Sequence, residues 1–179
     1  MGRLAQTVAV FLSLIVAVAV TQEASKTEPK VDEGIQKAAA MDAKQAEAAL
    51  KDANSPPAVK FLALRKLCEA PDDKKLLPLL VEALKSPHSP IKRLAIEELA
   101  KRKHQPAAKT FFEIVLNPNE DWQIRVAAEW ALEQTLSDFP EALRGALVKA
   151  EIPKKHEPDA DKVSKVMPEY QKEFKKRFP

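Results

Sequence analysis

The chain of 179 residues contains very little glycine. Its three glycines are Gly2, Gly34 and Gly145. Phosphate-cradling loops and dinucleotide-binding fingerprints need clustered glycines, because only residues without a side chain let a phosphate approach the backbone closely. The sequence therefore excludes nucleotide-binding enzymes that are built on such loops.

Cysteine occurs once, at Cys68. A single cysteine excludes an intramolecular disulfide, so an exported domain of this size must depend on its apolar core. We predict that Cys68 is a small buried hydrophobe beside Leu67, while a reactive thiol and an intermolecular bridge stay open as alternatives.

Histidine is also scarce, and His88, His104 and His156 lie far apart in the sequence. No two of them have the close spacing of zinc ligands on a helix. The acidic pair Asp72-Asp73 is better explained by helix capping, because adjacent side chains on a helix do not face each other. We predict no catalytic residue, no cofactor and no metal site.

Neither sign of charge dominates, since 29 Lys and Arg residues face 26 Asp and Glu residues, for a net charge of +3. Nucleic acids and acidic membrane surfaces attract proteins that carry a strong basic field. The charge balance therefore argues against nucleic acid as the partner.

An apolar run stands at the start of the chain. Arg3 precedes the run over residues 8–20, and small residues follow it. This order predicts a secretory signal peptide over residues 1–21, cleaved after Ala19 or Thr21. The run would span about 20 Å as a helix, short of the roughly 30 Å of a bilayer core. We expect an extracytoplasmic protein, periplasmic or secreted, or a membrane-anchored one if cleavage does not occur.

Residues 22–53 lead into the rest of the chain. Residues 22–34 are polar and predict a flexible linker. Residues 35–52 are rich in Ala, Lys, Gln and Glu, which predicts a helix. Its large apolar residues are few, so we expect a thin apolar stripe rather than a core element.

Residues 54–150 contain a repeated pattern. Three segments begin with a β-branched residue followed by Lys or Arg, at Val59, Ile91 and Ile124. Each has Ala four residues later and Leu eight residues later, which places the three positions along one face of a helix. The fixed period of just over thirty residues predicts an α-solenoid.

A second apolar run follows each segment, over residues 76–84, 111–116 and 142–148. The third run departs from the register of the first two, as terminal repeats often do. Each unit is therefore predicted to be a pair of helices.

The helix boundaries carry their own signals. Ser55-Pro56 and Ser89-Pro90 predict an N-cap followed by proline in the first turn, and Asp121 predicts the N-cap of the third unit. Pro78 requires a late helix start or a kink.

The stretches LLPLLVEALKSPHSPIKRLAIEELAK and NPNEDWQIRVAAEWAL resemble HEAT-like repeats of the type also found in bilin lyases. The third unit is most similar, with Asp121 followed by Arg125, whereas Lys60 and Lys92 replace the arginine in the other units. The resemblance implies an all-α fold, a short right-handed α-solenoid of about three HEAT-like hairpins with flanking helices. It also implies that the second helices line a concave binding face.

Three side chains of the third unit have specific predictions. Asp121 and Arg125, four residues apart, predict an ion pair that joins two turns. We expect Trp130 in the core, and Trp122, at a turn, is a candidate interface anchor.

Residues 151–179 form a basic tail. Between residues 162 and 179, apolar residues recur in steps of three and four, interrupted by Pro168. We predict a capping helix over the last repeat. A basic amphipathic helix that contacts a membrane surface or a partner is one alternative, and disorder is another.

These patterns predict a non-catalytic, exported protein-binding scaffold, with an unknown protein as partner. A lyase or chaperone-like factor that acts on a chromophore-bearing or modified protein is the alternative, and it depends on the resemblance alone. The candidate partner-binding residues are Lys75, Glu82, Lys109, Glu113, Trp122 and Arg144.

Overall fold

The computed structural model describes residues 36, 38–69 and 72–179. The predicted signal peptide, its cleavage sites and the predicted linker lie outside the described residues. Residues 41–179 form one compact unit, and of the residues before it only a short helical stretch after residue 35 is described. Among the described residues, no helix is both long and apolar enough to cross a membrane.

The compact unit is almost entirely helical. Its α-helices are α1 (Ala43–Lys51), α2 (Pro57–Cys68), α3 (Asp73–Ala83), α4 (Ser89–Lys101), α5 (Ala108–Leu116), α6 (Trp122–Thr135), α7 (Ala146–Lys149) and α8 (Ala160–Arg177). The 3₁₀ turns Gln105–Ala107 and Glu141–Leu143 and an antiparallel pair, β1 (Glu151–Ile152) with β2 (Glu157–Pro158), lie between them. The predicted all-α fold is confirmed.

The helices form two layers. α2, α4 and α6 pack side by side in the first layer. In the second layer, α1 packs on α2, α3 on α4 and α5 on α6, so each second-layer helix packs closely on the first-layer helix that follows it. This regular succession is the α-solenoid that the repeat period predicts. It also includes α1, which lies before the three repeats predicted over residues 54–150.

The repeated alanines explain how closely the layers approach. Ala63, Ala95 and Ala128 are all fully buried. The leucines that close the motif in α4 and α6, Leu99 and Leu132, are also fully buried. A small residue at the centre of a helix face lets a neighbouring helix come near, and the larger residues fill the space on either side.

The predicted serine caps are wrong. α2 begins at Pro57 after an N-cap at Pro56, and α4 has its N-cap at His88, without a side-chain capping bond in either case. Prolines lie in the first turn of both helices, where their fixed φ angle is favourable, and they determine the helix starts without a side-chain cap. The prediction for Asp121 is correct, since its carboxylate accepts from the backbone N–H groups of Gln123 and Ile124. Pro78 lies inside α3.

The third unit departs from the predicted pair of helices. Residues 142–148 form the end of a 3₁₀ turn and most of the four-residue α7, not a full second helix. Gly145 separates the two with φ of +60°, a left-handed conformation that only glycine adopts readily. The predicted helix is therefore broken at Gly145.

α8 fills the place that this break leaves in the second layer. It packs on α5, on α7 and on the turn Glu141–Leu143. Tyr170 is fully buried, and the rings of Phe174 and Phe178 lie 6.0 and 6.1 Å from the ring of Phe112. The apolar stripe of the tail thus faces the stack. Contact with a membrane through residues 162–179 stays a prediction, and it would have to use the outward lysines or an undocked helix.

Candidate functional site

The predicted second-layer residues are exposed but do not form one site. Lys75 and Glu82 on α3 pair with their own neighbours, with Lys75 Nζ 3.6 Å from Asp72 and Glu82 2.8 Å from the ammonium of Lys85. They line two separate depressions. Lys109 and Glu113 project from α5. Their role in partner binding stays a prediction.

Trp122 is not an exposed anchor, and this prediction is wrong. Its side chain is 9% exposed, and the guanidinium of Arg125 stacks 5.2 Å from its ring centre. A flat cation over an indole face shields the ring from water. The first residue of α6 is therefore part of the core.

The predicted ion pair between Asp121 and Arg125 is also wrong. Arg125 Nε donates to the Val115 carbonyl at 2.9 Å, and Nη2 approaches the sulfur of Met167 at 3.1 Å. Burial lowers the pKa of the Arg125 guanidinium. Asp121 is used as a cap, so Arg125 joins α5, α6 and α8 instead.

Arg144, the last predicted partner-binding residue, is half-buried. Its Nη2 donates to the Phe139 carbonyl at 3.4 Å, and its Nε lies 3.1 Å from the Glu141 carboxylate. These contacts close the turn before α7. Its binding role stays a prediction.

A groove between α4 and α6 lies on the outer face of the first layer. We call it the α4–α6 groove, and its volume is about 530 Å³. Its lining residues are Arg93, Glu97, Lys101, Gln123, Val126, Ala127, Glu129, Trp130, Glu133, Gly145 and Val148. A second depression of about 440 Å³ continues it towards α2 and shares Arg93, Glu97 and Gln123 with it.

Trp130 is the most unusual residue of the groove, and its predicted place in the core is wrong. The indole is 40% exposed, and Val148, which is 53% exposed, lines the same groove. Large apolar side chains gathered in an exposed depression mark interaction sites more often than isolated ones do.

The sequence contained a signal for the exposure of Trp130. Within the repeat, Trp130 stands six residues after the β-branched start, where the other two units have Arg65 and Glu97. A position that is charged in the related units faces outward, so a tryptophan there is exposed as well. Hydrophobicity alone suggested the opposite.

The α4 wall of the groove is charged. Arg93 Nε donates to the Glu97 carboxylate at 2.9 Å, and Lys101 lies one turn further along the same face. Lys101 itself pairs with Glu98 at 2.6 Å, and this hydrogen bond raises the pKa of the ammonium. The wall therefore presents a basic, an acidic and a basic group in succession.

Two glutamates of α6 hold the end of the groove in place. Glu133 accepts from the Gly145 N–H at 2.7 Å, and Glu129 accepts from the Leu147 N–H at 3.0 Å. Both N–H groups belong to the start of α7, where a helix leaves its donors unsatisfied and favours negative charge. These bonds fix α7, and with it Val148, beside Trp130.

Glu129 also links the groove to α8. The buried hydroxyl of Tyr170 hydrogen-bonds to its carboxyl group and lies 3.0 Å from the Leu143 carbonyl. Burial raises the pKa of Glu129 above its ordinary value, against the lowering effect of the Tyr170 and Leu147 bonds. Sequence spacing gave no indication of this network, since its members are up to 41 positions apart.

Cys68, the single thiol of the chain, does not line the α4–α6 groove. Burial raises the pKa of the Cys68 thiol to about 11, which keeps it protonated and poorly nucleophilic. In the described part of the chain, no three His, Cys, Asp or Glu side chains are gathered so that they could hold a metal ion. The predicted absence of cofactors stays a prediction.

A comparison with protein families gives one match. The family model described as HEAT repeats matches residues 43–133, from the start of α1 almost to the end of α6. No curated protein and no solved structure matches the chain significantly. The match covers α1, in agreement with its place in the stack.

Proposed function

Because the chain belongs to the HEAT repeat family, we propose that it is a non-catalytic protein-binding scaffold whose binding site is the α4–α6 groove. HEAT repeats typically mediate contacts between proteins, and they are generally not enzymes. The groove supports this function through Trp130 and Val148, which leave apolar surface exposed within it.

Trp130 carries the proposal because of its surroundings. Tryptophan is enriched among the few residues that dominate binding energy at protein interfaces. Here Val126 and Ala127, about one helical turn before it on α6, line the same groove, with charged groups along the α4 wall. An apolar centre with a polar rim is the usual anatomy of such an interface.

The partner can be captured with the immobilised protein from an envelope fraction and identified by mass spectrometry. We expect Trp130→Ala to weaken binding of that partner by at least about ten-fold, as loss of a central anchor does. Arg65→Ala, at the matching position of α2, is the control and should leave the affinity unchanged. Melting temperatures of both variants would show that the fold is intact.

The second-layer charges provide the competing surface. Full affinity in Trp130→Ala would contradict the groove as the site. Loss of capture on joint charge reversal of Lys75, Glu82, Lys109 and Glu113 would then place the site on α3 and α5 instead.

We further propose that the protein acts outside the cytoplasm. The support is the basic start, apolar run and small residues within positions 1–21. N-terminal sequencing of the protein from its native source should give a chain that begins at Val20 or Gln22. A chain that begins at Met1 and sediments with membranes would show an uncleaved anchor, and one that stays in the cytoplasm would contradict export.

A further inference from the structure

We infer that the α4–α6 groove receives an amphipathic α-helix of a partner protein, with an acidic, a basic and an acidic residue along one edge of its apolar face. This inference rests on the proposed function of the groove and specifies its ligand.

The shape of the groove favours a helix. The lining positions of α6 extend from Gln123 to Glu133, which is about 15 Å along the helix axis, or about three turns. Its walls are two helices packed side by side, and a third helix can seat its ridge of side chains between them.

The floor of the groove disfavours an extended peptide. The side chains of Val126 and Ala127 have no hydrogen-bonding groups, and the indole of Trp130 supplies one donor and no acceptor. The backbone groups of α6 beneath them are already bonded within the helix. A buried extended strand would leave its own N–H and C=O groups without partners there, at a considerable cost. A helix satisfies these groups internally.

The α4 wall specifies the charges of that helix. Arg93, Glu97 and Lys101 stand at intervals of four residues, so the basic, acidic and basic groups follow one another by about one helical turn. Arg93 and Glu97 remain 58% and 36% exposed despite their mutual bond. A partner helix with an acidic, a basic and an acidic residue at the same interval complements all three. Because the order of the charges is the same from either end of α4, the partner helix can run parallel or antiparallel to it.

A second copy of this chain is a poorer occupant. α8 has Asp161, Lys165 and Glu169 at the required interval, and all three are exposed. Its apolar stripe, however, already faces α5 and α7. A second copy would therefore offer the charges without an apolar side chain for Trp130.

Two dye-labelled helical peptides of about 15 residues test the inference. Both peptides have the same leucine stripe. Beside it, at intervals of four residues, one peptide has Glu, Lys and Glu (the Glu-Lys-Glu peptide) and the other has Lys, Glu and Lys (the Lys-Glu-Lys peptide). By fluorescence anisotropy we expect the protein to bind the Glu-Lys-Glu peptide about ten-fold more tightly, a preference that weakens as salt is added. The joint exchange Arg93→Glu with Glu97→Lys keeps the net charge and the ion pair within α4, and it should remove or invert the preference.

The control exchange Lys75→Glu with Glu82→Lys on α3 should leave the preference unchanged. Equal affinity for both peptides, binding of neither, or equal binding of a proline-interrupted Glu-Lys-Glu peptide would overturn the inference. Trp130→Ala separates the two proposals. If Trp130→Ala abolishes partner binding while the peptides show no preference, the groove is the binding site but its ligand is not the inferred helix. Unchanged partner binding means that the groove itself is not the site.

Discussion

Deletion of residues 160–179 is expected to lower the melting temperature by about 10 °C or more. α8 covers Phe112 with Phe174 and Phe178, and it brings Tyr170 into the core. Loss of a buried aromatic side chain costs about 3–5 kcal/mol, and each kcal/mol corresponds to about 2–4 °C in a protein of this size. The deletion removes one fully buried aromatic side chain, Tyr170, and two partly buried ones, Phe174 and Phe178.

Thermal melts followed by circular dichroism measure this effect, and binding of a hydrophobic dye would report the uncovered surface of α5. Lys172→Gln with Lys175→Gln is the matched control, because both lysines are exposed on α8 and the changes leave its packed face intact. Their melting temperature should equal that of the parent. An unchanged melting temperature of the deletion variant would show that α8 is not part of the folded stack.

The repeated layers could be predicted from the sequence because the residues that pack between them recur at the same position of each repeat. Ala63, Ala95 and Ala128 recur at the same position of each unit, and the structure buries all three. Helical faces follow from the 3.6-residue turn alone, so the motif determines which side of each helix is buried. No knowledge of distant residues is needed for that step.

The end of the stack could not be predicted in the same way. The residues of α8 show an apolar stripe, but a stripe does not say which neighbour it packs on. The break at Gly145 leaves a place beside α5, and α8 fills it after a connection through β1 and β2. Such a replacement depends on contacts between residues far apart in the chain.

The groove shows the same limit. The apolar character of tryptophan predicts a place in the core for Trp130, whereas its position in the repeat faces outward. The spacing of four residues predicts an ion pair between Asp121 and Arg125, whereas in the structure Arg125 donates to the Val115 carbonyl of α5. Local spacing predicts only local partners, and both residues have partners or surroundings that tertiary packing decides.

A second prediction concerns Glu129, whose contribution to stability should fall as the pH rises. Its pKa in the folded protein is raised by burial above the ordinary value of 4.5. Between these two values the folded state binds more protons than the unfolded state, so the free energy of unfolding decreases with increasing pH. The contribution is complete below about pH 4.5 and is lost once the pH exceeds the raised pKa.

Glu129→Gln should remove this part of the pH dependence. Urea unfolding of both proteins across a range from about pH 4 to 8 measures it. The stability of the parent relative to the variant should decline above about pH 4.5 and level off once the pH exceeds the raised pKa. Glu98→Gln is the opposite control. Burial tends to raise the pKa of Glu98, but its bonds from Lys101 and Arg102 lower it overall, so Glu98 stabilises above about pH 4.5 and loses that effect on acidification.

Burial favours the neutral form of Glu129, and the hydrogen bonds of Tyr170 can accommodate that form. Tyr170 has one hydroxyl proton but two acceptors, the Glu129 carboxyl group and the Leu143 carbonyl. Neutral Glu129 can donate to the Tyr170 oxygen, so the Tyr170 hydroxyl can donate to the Leu143 carbonyl. Ionised Glu129 can only accept, so the Tyr170 hydroxyl donates to Glu129 and the Leu143 carbonyl loses that hydrogen bond. Glu133 and Arg125, the nearby charged groups, influence Glu129 and Tyr170 less than burial does.

Tyr170→Phe should therefore lower the free energy of unfolding by about 1–3 kcal/mol. Because the change removes a hydrogen bond that lowers the pKa of Glu129, it should extend the loss of stability to higher pH. A parent protein whose stability relative to Glu129→Gln stays constant across the range would show that folding does not raise the pKa of Glu129.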